Sequence, residues 1–263
     1  MSLVIVGSIA LDSVTTRYGE VDKVLGGSAI YASMASKHFC KTHVVGVVGE
    51  DFSKNYICML QENDICCKGI KFVPGKTFYW KGIYNDLNRA ETLDTQLNVF
   101  ADFDPRIPTD YRKCEYLFLG NIDPELQLRV LNQMDNTKKT ACDTMNFWIE
   151  GKREKLMEVI SKIDILFIND DEVKMLTGKK NIFVAAEAAE KLGPQLIVIK
   201  RGEYGSMAVT EDFIFFAPVY PVKNVIDPTG AGDSFAGGFM GYLAAQKKYN
   251  NTSIKNAMIY GAV

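Results

Sequence analysis

The chain has 263 residues, a formal net charge of −2 and an apolar fraction of 47%. Those values fit one large folded domain and argue against disorder. With 30 Lys+Arg against 32 Asp+Glu and no basic block, nucleic acid is not an expected partner. No apolar run approaches the roughly 18 residues that span a bilayer, so no membrane partner is expected either.

The opening MSLVIVGSIA lacks a charged n-region and has only a short apolar run, so it reads as a first strand and not as a signal peptide. LVIVG (3–7) and HVVGVVG (43–49) read as core strands, with a helix near 28–38. Residues 69–101 do not follow a strand–helix rhythm. KGIKFVP, KTFYWKGIY and QLNVFADF alternate or carry aromatics, with a Pro74-Gly75 turn, and predict a small antiparallel sheet beside the main one. Its expected use is a lid, because a closing flap excludes water during group transfer; an edge sheet or a dimer contact explains the pattern as well.

From about residue 115, short apolar runs alternate with helical patterns. YLFLG (116–120), TACD (140–143), DILFIN (164–169) and LIVIK (196–200) read as strands, the last two buried on both faces. Asp123-Pro124 forms an N-cap and first-turn pair, Asn181 opens a helix, and Gly193-Pro194 closes it. Repeated units of this length imply an α/β sheet with right-handed crossovers.

The six cysteines form no C-x-x-C pair and, without an export signal, read as reduced thiols in a cytoplasm; adjacent Cys66 and Cys67 could also be redox-active. His38 and His43 sit far from any acid or cysteine cluster, so no His-based metal site is expected.

The chemistry concentrates in DPTGAGDSFAGGF (227–239). Gly230, Ala231 and Gly232 let a ligand approach the backbone, and the small apolar segment after them reads as a buried helix. Its first N–H groups lack intrahelical partners and carry partial positive charge, which suits an anion. Asp233 in the same turn would repel a resident anion. A general base, however, must stand beside the transferring group. An acid next to anion donors therefore suggests phosphoryl transfer to an alcohol; a simple helix cap explains Asp233 equally well from the turn alone. There is no G-x-x-x-x-G-K-[ST], and GAGDSF lacks the third glycine of a dinucleotide fingerprint.

These residues resemble the second signature of the ribokinase-like, or PfkB, family of carbohydrate and nucleoside kinases. GSIALD (7–12), the glycine pair Gly26-Gly27, GVVGEDF (46–52), NDDE (169–172) with LTG (176–178), and KRGEYGS (200–206) follow the family's motifs in order over essentially the whole chain. The resemblance implies a single ribokinase-like α/β domain over 1–263. The expected architecture is a three-layer sandwich with a mostly parallel central sheet and a small β lid, built mainly from about 69–101 with a contribution from 12–25. It implies ATP-dependent transfer to a primary hydroxyl of a small sugar. A ribonucleoside, adenosine-like acceptor is the alternative, and a non-catalytic nucleotide- or sugar-binding member is a remote one.

By the same resemblance, Asp233 is the catalytic base and the amides of Gly230, Ala231 and Gly232 form the anion hole. Asp12, at a strand end, binds substrate hydroxyls, with Gly26 and Gly27 letting the substrate lie against backbone. Asn169 and Glu172 organise Mg²⁺ and phosphate through water. Lys200 and Gly202 lie beside the nucleotide, with Arg201 a further cation there. Asp227 is a weak carry-over as a ligand for a monovalent cation such as K⁺, and Asp143 lies near the phosphate region. The implied cofactors are ATP and Mg²⁺, the implied location is cytoplasmic, and a homodimer through the lid is an option.

Two features depart from the pattern. Many sugar-specific members carry Asn where GGSAIY (26–31) ends in Tyr31, which replaces an amide with a flat ring able to stack on a base or a sugar face or to pack against a helix. The sequence ends at NAMIYGAV, where members usually continue through elements that complete the adenine and cation sites, so no adenine contact is named.

Overall fold

The computed structural model describes residues 1–86 and 89–263. In chain order its elements are β1 (Ser2–Val6), β2 (Ala10–Thr16), β3 (Gly19–Gly26), α1 (Ser28–Ser36), β4 (Lys41–Val48), α2 (Lys54–Glu62), β5 (Ile65–Phe72), β6 (Phe78–Asp86), β7 (Arg89–Gln96) and β8 (Tyr116–Leu119). There follow α3 (Pro124–Leu131), β9 (Lys139–Asp143), α4 (Asn146–Gly151), α5 (Arg153–Ile160), β10 (Ile165–Asn169), α6 (Asp170–Thr177), α7 (Ile182–Glu190), β11 (Leu196–Lys200), β12 (Ser206–Val209), β13 (Ile214–Ala217), α8 (Ala231–Ala245) and α9 (Asn251–Ala262).

Nine strands form the main sheet in the order β13-β12-β11-β10-β9-β8-β1-β4-β5. All neighbours are parallel except at the β12 and β13 end. β1 shows why the sheet is buried on both faces. Val4 and Val6 pack into one apolar layer with α3 to α7, whereas Leu3 and Ile5 pack into the other with α1, α2, α8 and α9. Alternate residues of a strand point to opposite faces, so a continuous apolar run serves both layers. The result is the expected three-layer α/β sandwich, here with no described helix long and apolar enough to cross a membrane.

The smaller sheet has the order β3-β2-β6-β7. β2 pairs antiparallel with β3 and parallel with β6, and β6 pairs antiparallel with β7. Half of this sheet thus comes from residues 10–26. Two sequence assignments within 69–101 are corrected. KGIKFVP does not belong to the small sheet: Ile65–Phe72 pairs parallel with β4 at the edge of the main one. An edge strand keeps one side wet, and its mixed exposure mimics the alternation of a free-standing hairpin. Asn98–Phe100, inside QLNVFADF, is a single 3₁₀ turn, not a strand. Asp12 also moves: β1 ends at Val6, and Asp12 lies inside β2, in the small sheet itself.

The strand order reverses between β8 and β1, which is where open α/β sheets leave a crevice at the strands' carboxyl ends. Helix α8 contacts both strands there and packs closely on α1. Small residues permit that approach. A Cβ on Gly237 would lie 2.1 Å from the Ala32 carbonyl oxygen, and one on Gly241 would lie 2.8 Å from the Ser36 Cα. Since α8 carries the GAGD turn on its first residues, this packing sets how far the turn projects into the crevice.

Gly237→Ala should therefore push α8 off α1. An overpacked core position costs about 1–3 kcal/mol, so thermal denaturation should show a melting temperature lower by several degrees; an unchanged melting temperature would mean the helices can separate freely.

Candidate active site

The GAGD turn is shaped by glycine. Gly230 is the N-cap of α8 and has φ of 73°, a left-handed conformation that side chains rarely adopt. A Cβ there would also lie 2.2 Å from Cγ of Tyr31, so the tyrosine ring rests directly on this glycine. The Ala231 N–H donates to the Pro228 carbonyl at 3.1 Å and closes the turn, so it is not a free donor. Among the described residues, the N–H groups of Gly230, Gly232 and Asp233 have no acceptor in the protein. These are the orphan donors of a helix N-terminus, reinforced by the helix dipole.

Asp233 stands in the first turn of α8, half-buried. Burial pushes its carboxyl up to about 7; the Asp143 carboxylate adds to this, Lys200 opposes it, and Asp12 adds a smaller upward push. Lys200, at the end of β11, reaches beneath the turn: a Cβ on Gly232 would lie 3.3 Å from its Nζ. The Lys200 ammonium donates to both oxygens of Asp143, at 2.8 and 2.6 Å. Asp143 ends β9 and is 3% exposed. Sequence reasoning named Lys200 and Asp143 separately and missed their pairing, which brings together residues 57 apart in the chain.

N-x-x-E is, structurally, a complete capping box. The Asn169 side-chain oxygen accepts from the Glu172 N–H at 2.8 Å, and Glu172 Oε2 accepts from the Asn169 N–H at 2.9 Å. The cap reading and a functional reading are therefore not exclusive. Glu172 is 8% exposed, not solvated, and burial lifts its carboxyl to about 7 despite the nearby Lys200.

Asp12, 4% exposed, faces the same crevice from the small sheet. Burial raises it to about 6, while bonds from the Tyr31 hydroxyl (3.4 Å) and the Gly27 backbone pull the other way. A Cβ on Gly26 would lie 1.9 Å from Asp12 Oδ2, so only glycine leaves room for the carboxylate. Gly27, with φ of 96°, is the N-cap of α1. Tyr31 thus joins the two halves of the crevice, its ring on Gly230 and its hydroxyl on Asp12. Burial first, and then the charges of Asp12, Asp227 and Asp233, hold that hydroxyl well above the usual tyrosine range.

Asp227 is exposed; its Oδ1 accepts the Thr229 N–H at 2.9 Å. The Thr229 hydroxyl lies 3.3 Å from the Tyr84 hydroxyl of β6, which ties the small sheet to the GAGD loop. Neither partner stands out in sequence, since Thr229 reads as a turn residue and Tyr84 as one of several alternating aromatics. Gly202 opens the 3₁₀ turn after β11. A cavity of about 230 Å³ is walled by Lys200, Gly202, Ser206, Ala231, Gly232 and Phe235, among others. A second, of about 670 Å³, shares Gly202, Ala231 and Gly232 with it and extends to the small sheet. Among the described residues, no group of three or more His, Cys, Asp or Glu side chains could by itself hold a metal ion.

A crevice at the sheet's switch point, an acid in the first turn of a glycine-opened helix and free N–H donors beside it define a group-transfer site for an anionic reagent. The profile of the pfkB family of carbohydrate kinases matches residues 2–262, and the chain belongs to that family. It is 30% identical to a cytidine kinase of Thermococcus kodakarensis over 246 residues, which cover 91% of this chain and 87% of that protein. The fold is similar to that of a nucleoside kinase from Methanocaldococcus jannaschii (TM-score 0.77, 22% identity, 99% of this chain and 89% of that one). It is also similar to that of a fructokinase variant from Vibrio cholerae O395 bound to fructose, ADP and potassium (TM-score 0.81, 20% identity, 99% and 89%).

The Asp143–Lys200 pair gives a direct test of this electrostatic arrangement. Lys200→Met strands a buried carboxylate and should cost about 3 kcal/mol or more in urea unfolding. Adding Asp143→Asn should recover part of that loss; equal stability of the single variant and the parent would show that the pair is not coupled.

Proposed function

We propose that this protein transfers the γ-phosphoryl group of ATP to a primary hydroxyl of a small sugar, with Asp233 as the general base. One observation carries the reading: the Asp233 carboxylate shares the first turn of α8 with the unpartnered N–H groups of Gly230 and Gly232. An alcohol nucleophile needs a proton acceptor, and the phosphoryl group it attacks needs charge stabilisation, at the same point.

Asp12, its carboxylate seated against the bare backbone of Gly26, orients the acceptor by taking hydrogen bonds from its hydroxyls. A buried acid of this kind rejects an acceptor that leaves it unpaired. Asp233 removes the hydroxyl proton late, as the oxygen–phosphorus bond forms, so a weak base suffices. The N–H groups at the start of α8 hold the charge that accumulates on the transferring group, and losing one such donor costs roughly 10²–10³ in rate in comparable sites. The small sheet, tied down through Tyr84 and Thr229, acts as the lid that excludes water. Its outer edges, β3 and β7, have no further strand partner among the described residues and are free to pair with a second copy.

Asn169 and Glu172 offer oxygen donors, the kind Mg²⁺ takes. Asn169 Oδ1 and one Glu172 oxygen are already used in the capping box, so these residues would hold the ion through water, and the bound ion would neutralise phosphate charge. Asp227 has one oxygen in its turn and the other for a monovalent cation such as K⁺. Dependence on ATP, and six cysteines that are all unpaired, suit a cytoplasmic location.

A ribonucleoside acceptor is the second reading. Similarity to a cytidine kinase favours it, as does Tyr31, whose ring stands between Asp12 and Gly230. A panel of hexoses, pentoses, keto-sugar acids and nucleosides, assayed with ATP and Mg²⁺, separates the two.

Asp233→Asn should lower kcat by about 10²–10⁴ with acceptor affinity nearly kept; ordinary turnover in this variant would remove Asp233 from its role. The parent should also lose activity as pH falls. With Asp233 titrating about 7, kcat/KM should drop roughly tenfold per unit below that value. The drop should steepen below about 6, where Asp12 is protonated as well. A profile flat from pH 8 to 5 would sink the assignment of the base.

A further inference from the structure

The cavity of about 670 Å³ joins two parts of the molecule that the reaction sketched above uses separately. One side is the nucleotide side of the crevice, with Gly202, Ala231 and Gly232 in its wall. The other is the lid, which contributes Tyr84 and Arg17. Arg17 sits at the tip of the hairpin between β2 and β3. Asp12, the acceptor-side acid, is not in this wall.

Arg17 is exposed, and among the described residues no carboxylate is paired with it. Its guanidinium lies 4.7 Å over the Tyr18 ring, and one Nη donates to the Tyr18 hydroxyl at 2.7 Å. The neighbouring tyrosine therefore holds the planar fork while leaving most of its five N–H donors available. The other charged side chains in the wall are Lys223 and Glu203. At the GAGD turn the wall includes Gly232, whose N–H has no acceptor among the described residues, and the lid brings a cation to the same cavity.

We infer that Arg17 is a nucleotide-binding residue borne on the lid, which donates to the polyphosphate of ATP across the cavity it shares with Ala231 and Gly232. This rests on the phosphotransfer reading of the same site. A guanidinium matches phosphate oxygens in a bidentate way that an ammonium cannot, and such charge-assisted bonds are stronger than neutral ones. It also gives the lid two tasks, covering the acceptor with β2 and fixing the nucleotide with its tip. Tyr84 ties the same sheet to Thr229, beside the GAGD turn.

Calorimetric titration of the full chain with ADP, ATP and adenosine, each with Mg²⁺ and without acceptor, tests this. Arg17→Ala should weaken ADP and ATP about tenfold or more, as expected for hydrogen bonds to a charged group, and leave adenosine unchanged. Arg17→Lys should recover part of the affinity, and raised salt should shrink the difference. Arg17 is on the surface, so both variants should fold, which equal melting temperatures would verify. Unchanged ADP affinity in Arg17→Ala would overturn the inference. So would an effect confined to the KM of an acidic acceptor, which would move Arg17 to the acceptor side. A parent chain that binds no adenine nucleotide at all would instead remove the phosphotransfer reading, and this inference with it.

Discussion

The crevice is organised around a shortage of positive charge. Asp12, Asp143 and Glu172 are buried, Asp233 stands half-buried among them, and Lys200 is the cation that the first of its neighbours, Asp143, takes with both oxygens. Burying carboxylates without equal compensation raises their proton affinity. Asp12 rises to about 6 and Glu172 and Asp233 to about 7. The consequence is chemical: a carboxylate with raised proton affinity is a stronger base near neutrality than an ordinary surface aspartate. A dication entering beside Glu172 would supply charge that the protein withholds.

The fold makes that concentration of charge possible. The acids and the lysine come from the ends of β9 and β11, the starts of α6 and α8, and strand β2 of the small sheet. Only a sheet whose strands end together at a switch point brings such distant segments to one place. The cost is carried by the apolar layers on either face of the sheet and by the close contact of α8 with α1, where Gly237 and Gly241 remove the side chains that would hold the helices apart. The same contact fixes the direction of the α8 N-terminus. Packing far from the chemistry thus decides where the free N–H groups point.

Much of this was legible in the sequence, and the reasons differ by element. Strands buried on both faces announce themselves as short apolar runs, so β8, β10 and β11 were found within a residue or two. N-caps such as Asp123 and Asn181 are local hydrogen-bond devices and appear where expected. The edge strand β5 was misassigned because one wet side gives it the periodicity of a hairpin. GSIALD, by its resemblance to the family's first strand, places Asp12 at that strand's end, whereas β1 stops at Val6 and Asp12 lies in β2 of the small sheet. The Asp143–Lys200 pair and the Tyr84–Thr229 contact were not legible, since both depend on long-range neighbours that no local pattern encodes.

Tyr31 shows how the two halves of the crevice become one unit. Its ring covers Gly230, which must be glycine for its left-handed backbone and has no room for a side chain beneath the ring. Its hydroxyl leans on Asp12, which in turn fits only because Gly26 is a glycine. Asp12 and the turn at Gly230 are thereby in contact through a single side chain. An asparagine here would offer the acceptor an amide and leave the glycine uncovered. The tyrosine hydroxyl thus takes up part of Asp12's hydrogen-bonding capacity, and an acceptor of the kind proposed would share that carboxylate with the phenol.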